Sequence, residues 1–131
     1  MIGTEIATKA FRFELAFDGE PEHVGVFKGL SDIGLAEDEV NSFLAEFSDL
    51  KIPELSRNSE SWFTLLGLKE FFEAIKDFSA KLEETGWSIL MYVRDMTVQE
   101  VKAAKYRDAY QIVLNSKTSD IRNLVPMELT A

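Results

Sequence analysis

The chain opens with a pattern that alternates apolar and polar positions. Between residues 8 and 17, the apolar positions fall two apart at Phe11, Phe13, Leu15 and Phe17. This period predicts a half-buried strand, because successive side chains of a strand point to opposite faces. The following segment, 18–23 (DGEPEH), contains a glycine and a proline, and Val24 and Val26 then resume the alternation. We therefore predict a β-hairpin whose loop is longer than two residues.

The apolar spacing becomes helical between residues 35 and 50. Here the apolar positions are Val40, Phe43, Leu44 and Phe47. They share one face of a helix at about 100° per residue. Three consecutive acids occupy the first turn, where the positive end of the helix dipole favours carboxylates. After this helix, Pro53 and a cluster of polar residues predict a loop.

Residues 61–78 (SWFTLLGLKEFFEAIKDF) hold the densest group of aromatic side chains. If Thr64 is the N-cap, one helical face carries Leu68, Phe71, Phe72, Ile75, Phe78 and Leu82. We predict that this face packs on the sheet and that the helix ends before Gly86, since glycine tolerates a left-handed conformation. Trp62 and Leu66 fall outside this pattern. They are expected either to pack in the core or to be partly exposed at a partner site.

Two more strands are predicted in the second half. Residues 87–96 are apolar on both faces over most of their length, which is typical of a central strand. Residues 109–116 again alternate, and the segment between these strands fits either a short helix capped by Thr97 or an irregular connection. Residues 117–131 are expected to form a flexible tail. The order ββααββ predicts a single α+β domain over residues 1–131, with an antiparallel sheet of about four strands and two amphipathic helices on one face.

Composition limits the chemistry. The chain has no cysteine and one histidine, which excludes disulfides, thiolate catalysis and a multi-histidine metal site within one chain. Its formal net charge is −9, from 14 basic and 23 acidic side chains, and the basic ones are scattered. This charge would repel a phosphate backbone, so we expect no direct binding to nucleic acid. Without a membrane-spanning run or a signal-like start, we expect a cytoplasmic protein that does not bind membranes.

No motif of a familiar catalytic or nucleotide-binding site occurs, and we expect neither a cofactor nor a metal. The densest polar group lies in residues 18–23 and comprises Asp18, Glu20, Glu22 and His23. These side chains could surround a divalent ion. A solvated hairpin loop explains the same residues more simply.

A second polar group surrounds residues 106–110. Tyr106, Asp108 and Tyr110 alternate along the chain, and Arg94 with Asp95 could lie on a neighbouring strand. An acid, a base and an arginine together could support acid–base chemistry. Edge packing with a surface ion pair is the simpler explanation.

The acidic surface bears most directly on function. The candidate partner-binding residues are Glu37, Asp38, Glu39, Glu46, Asp49 and Trp62. A negative surface speeds association with a basic partner and can imitate a phosphate backbone, although solubility alone also explains the charge. We therefore expect a small acidic, non-enzymatic protein that binds a basic surface of a larger protein. It would act as an inhibitor or nucleic-acid mimic of the anti-defence type found in phages and mobile elements.

Two alternatives stay open. The first is a structural or regulatory domain that forms a homodimer or larger homo-oligomer through the apolar faces of residues 87–93 and 110–114. The second is a small enzyme or ligand-binding protein whose site is assembled from residues distant in sequence.

Overall fold

The structure, a computed structural model, describes residues 5–27, 29–30, 33–48, 50, 60–114 and 127–128. Its strands are β1 (Ile6–Phe17), β2 (Glu20–Gly25), β3 (Glu60–Phe63), β4 (Trp87–Thr97), β5 (Tyr106–Arg107), β6 (Gln111–Leu114) and β7 (Met127–Glu128). Its helices are α1 (Glu37–Ala45), α2 (Leu65–Lys81) and α3 (Val98–Lys102). The predicted α+β class is confirmed, but these described residues form seven strands and three helices instead of four and two.

The strands form one mostly antiparallel sheet. Its order is β5-β6-β3-β1-β4-β7, and β2 pairs with β1. The predicted ββααββ order is therefore wrong, since β3 lies between α1 and α2 in the chain and β5 and β7 are additional. The predicted central position of β4 is confirmed, because β4 has β1 on one side and β7 on the other.

The hairpin between β1 and β2 is tighter than predicted. Phe17 pairs with Glu20, so only Asp18 and Gly19 form the turn. Both have positive φ angles, 52° and 84°, which is the backbone of a type I′ turn and the geometry that Asp-Gly favours. The predicted long loop is wrong because Pro21 lies inside β2, paired with Ala16. Proline is accepted in a strand where its missing N–H is not needed for pairing.

The chain divides into two compact units, each assembled from segments that are distant in sequence. The first unit contains Met1–Arg12, Ile52–Glu70 and Tyr92–Val125, and the second contains Phe13–Lys51, Phe71–Met91 and Pro126–Ala131. Each unit has its own set of buried side chains. The single domain expected over residues 1–131 stays a prediction.

The second unit has an aromatic interior. Five phenylalanine rings contact one another in it: Phe27, Phe43, Phe47, Phe71 and Phe78. The ring of Phe43 stacks on that of Phe78 with centroids 4.0 Å apart, and Phe47 stacks on Phe71 at 5.0 Å. The predicted apolar face of α2 is buried at Phe71, Ile75, Phe78 and Leu82, whereas Leu68 and Phe72 are half-buried.

In the first unit, α2 begins where the sequence predicts. The Thr64 hydroxyl oxygen accepts a hydrogen bond from the Gly67 N–H at 3.1 Å, which is an N-cap, and the same hydroxyl donates to the Ala109 carbonyl at 2.7 Å. A Cβ on Gly67 would overlap the Tyr110 carbonyl oxygen, so this position requires glycine. The N-cap therefore also fixes the 108–110 turn against the start of α2.

Two segments that the sequence left open can now be assigned. Thr97 caps α3 through a capping box with Glu100, so the helical alternative for this segment is the observed one. The expected tail reaches the sheet, since Met127 pairs with Met91 of β4. The rest of that tail, residues 117–126 and 129–131, lies outside the described residues.

Candidate binding surface and polar cluster

The first turn of α1 carries three exposed carboxylates. Helix α1 starts after Ala36, which supplies no side-chain cap, and Glu37, Asp38 and Glu39 are all exposed. The only hydrogen bond to these carboxylates within the described part of the chain is local, from the Glu39 N–H to Asp38 Oδ1 at 3.0 Å. No lysine or arginine of the described residues forms an ion pair with them. Their charge therefore faces solvent.

Two buried phenylalanine rings hold helix α1 in place. The rings of Phe43 and Phe47 are buried and lie 5.0 Å apart in an edge-to-face contact. Because these rings belong to the aromatic interior of the second unit, the helix has one fixed rotation about its axis. The exposed carboxylates consequently have a defined direction.

Two apolar side chains near α1 remain exposed. Leu44, predicted to lie on the buried face, is 38 % exposed, and Phe27 is 36 % exposed although its ring contacts Phe43 and Phe47. Leu44 lies at the border of the apolar face, about 100° around the helix from Phe43. The spacing of apolar residues in the sequence cannot tell whether such a border position is buried or exposed.

The predicted site residues fall into three groups. Glu37, Asp38, Glu39 and Glu46 are exposed on α1 and its C-cap. Asp49 lies outside the described residues. Trp62 is only 1 % exposed, so a surface role for its ring at a partner site does not fit the structure. Leu66, which also falls outside the predicted helical pattern, is 52 % exposed.

Trp62 instead belongs to a buried polar cluster in the first unit. Its indole N–H donates to Glu60 Oε1 at 2.7 Å, and Glu60 is itself only 2 % exposed. The guanidinium carbon of Arg94 lies 5.5 Å from the centroid of the indole ring, a cation–π distance. Glu60 and Trp62 are separated by one residue in β3, so their side chains point to the same face of the strand. This Glu-x-Trp spacing is the sequence signal for the cluster, and the sequence analysis did not use it.

Arg94 is committed to this cluster. Its Nη2 donates to Glu100 Oε2, and Glu100 also accepts the Thr97 N–H at 3.1 Å. Partial burial acts to raise the pKa of Glu100, but the hydrogen bonds from Thr97 and the positive charge of Arg94 outweigh it and lower the pKa. Arg94 therefore fixes the junction of β4 and α3, and it is not part of the acid–base group considered above.

The Tyr106–Asp108 pair is also structural. The Tyr106 hydroxyl donates to Asp108 Oδ2 at 2.7 Å, while Asp108 Oδ1 accepts the N–H groups of Tyr110 at 2.8 Å and Gln111 at 3.0 Å. Burial alone would raise the pKa of Asp108, but these hydrogen bonds lower it. The bond to Asp108 raises the pKa of Tyr106. Asp108 is thus the fixed acceptor of a turn before β6.

The other expected groups are not assembled. Asp95 lies 3.8 Å from Lys9 in an exposed ion pair and makes no contact with Asp108 among the interactions that the structure describes. The described residues contain no group of three or more acidic, histidine or cysteine side chains placed to hold a metal. Asp18, Glu20 and Glu22 are exposed along the hairpin.

The apolar strand faces expected to join copies of the chain are residues 87–93 and 110–114. Within them, residues 89–92 and 111–114 are buried, whereas Trp87, Val93 and Tyr110 are half-buried. Within the described residues, no helix is both long enough and apolar enough to cross a membrane. No protein-family model, curated protein or solved structure matches this chain.

Proposed function

We propose that the protein is a small, non-enzymatic binding protein that docks on a basic surface of a larger protein. The acidic surface of α1, defined as Glu37, Asp38, Glu39 and Glu46, would make this contact. The observation that carries the proposal is that all four carboxylates are exposed on one helix, without an ion-pair partner in the described part of the chain. The proposed setting is the cytoplasm.

Local composition supports the same reading. Between residues 24 and 50 the sequence has six acidic side chains and one basic side chain, Lys28. Such a local excess produces a negative potential that extends about one Debye length, ~10 Å at 0.1 M salt. It would raise the rate at which a basic partner is captured, and would repel nucleic acid. Inhibition of a nucleic-acid enzyme by occupying its basic cleft is the activity that this chemistry favours.

The packing of α1 supports the proposal in a second way. Because the rings of Phe43 and Phe47 anchor the helix in the aromatic interior, the backbone that carries the carboxylates is already ordered before a partner binds. Charges that are already in place lose less conformational entropy on association than charges on a disordered tail.

The test compares two triple variants. In the first, Glu37→Gln, Asp38→Asn and Glu39→Gln remove three charges from α1. In the matched control, Glu70→Gln, Glu73→Gln and Asp77→Asn remove three exposed charges from α2. Both triple variants therefore change the net charge of −9 by the same amount. Each protein, with the wild type, is used for affinity capture from cell extract, and the bound proteins are identified.

We expect at least one protein with a basic surface to be retained by the wild type and the α2 variant but lost from the α1 variant. Its association rate with the wild type should fall as salt rises, more steeply than with the α1 variant. Identical sets of retained proteins for the two variants would show that only net charge matters, and the proposal would then be wrong.

A further inference from the structure

Two aromatic rings and a carboxylate lie side by side on three strands of the second unit. Phe17, the last residue of β1, pairs with Glu20 of β2, and residues paired across an antiparallel ladder point to the same face of the sheet. The ring of Phe17 also contacts that of Trp87 in β4, with centroids 4.9 Å apart and planes inclined by 55°. We call Trp87, Phe17 and Glu20 the ring–carboxylate row.

The ring–carboxylate row is open to solvent and held by its backbone. Phe17 is 43 % exposed, Glu20 is exposed and Trp87 is half-buried. The Asp18 N–H donates to the Gly86 carbonyl at 2.8 Å, and the ring of Phe17 lies so close to Gly86 that a Cβ there would be 3.2 Å from its Cε2 atom. The two rings are therefore in position before any ligand binds.

The polar cluster of the first unit combines the same groups with an arginine. There the guanidinium carbon of Arg94 lies 5.5 Å from the centroid of the Trp62 ring, and Arg94 also donates to Glu100. The ring–carboxylate row has the aromatic faces and the carboxylate, but no lysine or arginine of the described residues lies over its rings or forms an ion pair with Glu20. The cation that completes such a set is therefore missing from this part of the chain.

From this arrangement we infer that the ring–carboxylate row binds an arginine side chain of a partner protein, with the guanidinium stacked on the rings and hydrogen-bonded to Glu20. A guanidinium is weakly hydrated, stacks on aromatic faces and donates two parallel hydrogen bonds to a carboxylate. A lysine ammonium is more strongly hydrated, and a quaternary ammonium uses the rings but has no N–H for the carboxylate. Because the row lies outside the acidic surface of α1, this inference goes beyond the proposed function and does not rest on it.

The two tryptophans supply the readout of the test. In nitrogen–proton NMR spectra of the full chain, the indole N–H signal of Trp87 reports on the row, and that of the buried Trp62 is the internal control. The probes are the N-acetyl amides of arginine, lysine and citrulline, of which citrulline is the uncharged analogue of arginine, and the tetramethylammonium ion. The variants are Glu20→Gln and Phe17→Leu, and Glu73→Gln, which removes an exposed charge from α2, is the matched control for the first.

We expect the arginine probe to shift the Trp87 signal in a saturable way and to leave the Trp62 signal in place. The wild type should bind it about threefold more tightly than the lysine probe, and more tightly still than the citrulline probe, which has no charge. Glu20→Gln should weaken binding of the arginine probe by a factor of about three, the order expected for one exposed ion pair, and Glu73→Gln should not. Phe17→Leu should remove the preference for arginine over lysine.

Four outcomes would overturn the inference. Equal binding of the arginine and lysine probes, or equal effects of Glu20→Gln and Glu73→Gln, would leave only a general attraction of cations by the net charge of −9. Tighter binding of tetramethylammonium than of the arginine probe would assign the row to a quaternary ammonium ligand. A Trp87 signal that moves with protein concentration alone would assign it to a second copy of the chain. The α1 triple variant should bind the arginine probe as the wild type does, so this inference and the proposed function can fail separately.

Discussion

The interiors of the two units are built from different chemistry. The second unit packs five phenylalanine rings against one another, with no ionisable side chain among these ring contacts, although the unit also buries Glu14. The first unit buries Glu60 and Trp62 with Arg94, whose side chain is 12 % exposed. The rings contribute stability through apolar area and dispersion, whereas the buried charges contribute only while each keeps its partner.

This difference predicts two kinds of sensitivity. The contacts among the five rings should respond to the removal of volume, because no ionisable side chain takes part in them. The polar cluster should respond to the loss of single hydrogen-bonding groups and to protonation. The chain has two tryptophans, and Trp62 lies in the first unit while Trp87 lies in the second, so single-tryptophan variants allow unfolding to be followed in each unit separately.

The largest effect is expected from truncating the aromatic interior. Phe78→Ala removes the ring that stacks on Phe43 at 4.0 Å and should lower the free energy of unfolding by about 3–5 kcal/mol, because it leaves a cavity in a close-packed core. Phe71→Ala should behave similarly. Chemical denaturation followed by Trp87 fluorescence measures the loss.

The control for this prediction is Leu66→Ala, which truncates an exposed side chain of the same helix and should change stability by no more than ~0.5 kcal/mol. If both phenylalanine variants were as stable as this control, the assigned face of α2 would be wrong.

A smaller loss is expected in the polar cluster. Arg94→Met keeps a side chain of similar length but removes the bond to Glu100 and the cation above Trp62, so we expect a loss of about 2 kcal/mol. Denaturation followed by Trp62 fluorescence in a Trp87→Phe background reports on this unit. Arg107→Met, at an exposed arginine of the same unit, should cost a few tenths of a kcal/mol.

A double-variant cycle sharpens this comparison. If Arg94 and Glu100 stabilise each other, Arg94→Met combined with Glu100→Gln should cost less than the sum of the two single changes. Additive losses, or equal losses for Arg94→Met and Arg107→Met, would show that the contact between Arg94 and Glu100 adds nothing to the stability of the fold.

The same contrast explains what the sequence could and could not predict. Helix α2 and its Thr64 cap were predictable because seventeen residues carry one long period and a local capping signal. Strand β3 has four residues, and β5 and β7 have two each, so none shows a usable alternation. The Asp-Gly turn was a readable signal, but Pro21 was mistaken for loop rather than strand.

The candidate site was predictable only in part. Exposure of Glu37, Asp38 and Glu39 was predictable because charged side chains are common in the first turn of a helix. The sequence left Trp62 open between the core and a partner site, because its burial depends on Arg94 and on pairing with Ile112 of β6, both distant in sequence. Leu44 illustrates the remaining limit, since a border position of a helix can be turned in or out by a small rotation.

The smallest predicted effect is a difference in pH dependence. The pKa of Asp108 is lowered in the folded state from its ordinary value of 3.8, so its contribution to stability is present above that pH and is lost as pH falls through the folded pKa. Asp108→Asn keeps an acceptor oxygen for the Tyr110 and Gln111 N–H groups but removes the charge. We therefore expect its free energy of unfolding to fall less steeply than that of the wild type below about pH 4.

Unfolding free energies measured at pH 7, 5, 4 and 3 with Trp62 as reporter test this expectation, and Glu73→Gln on the exposed face of α2 serves as the control. Subtracting each variant's curve from that of the wild type removes the general effect of protonating the other carboxylates. A residual slope for Asp108→Asn but not for Glu73→Gln would place the pH sensitivity in the turn before β6. Parallel curves for all three proteins would mean that the hydrogen bonds to Asp108 do not depend on its charge, and the turn before β6 would then contribute nothing to the pH dependence of stability.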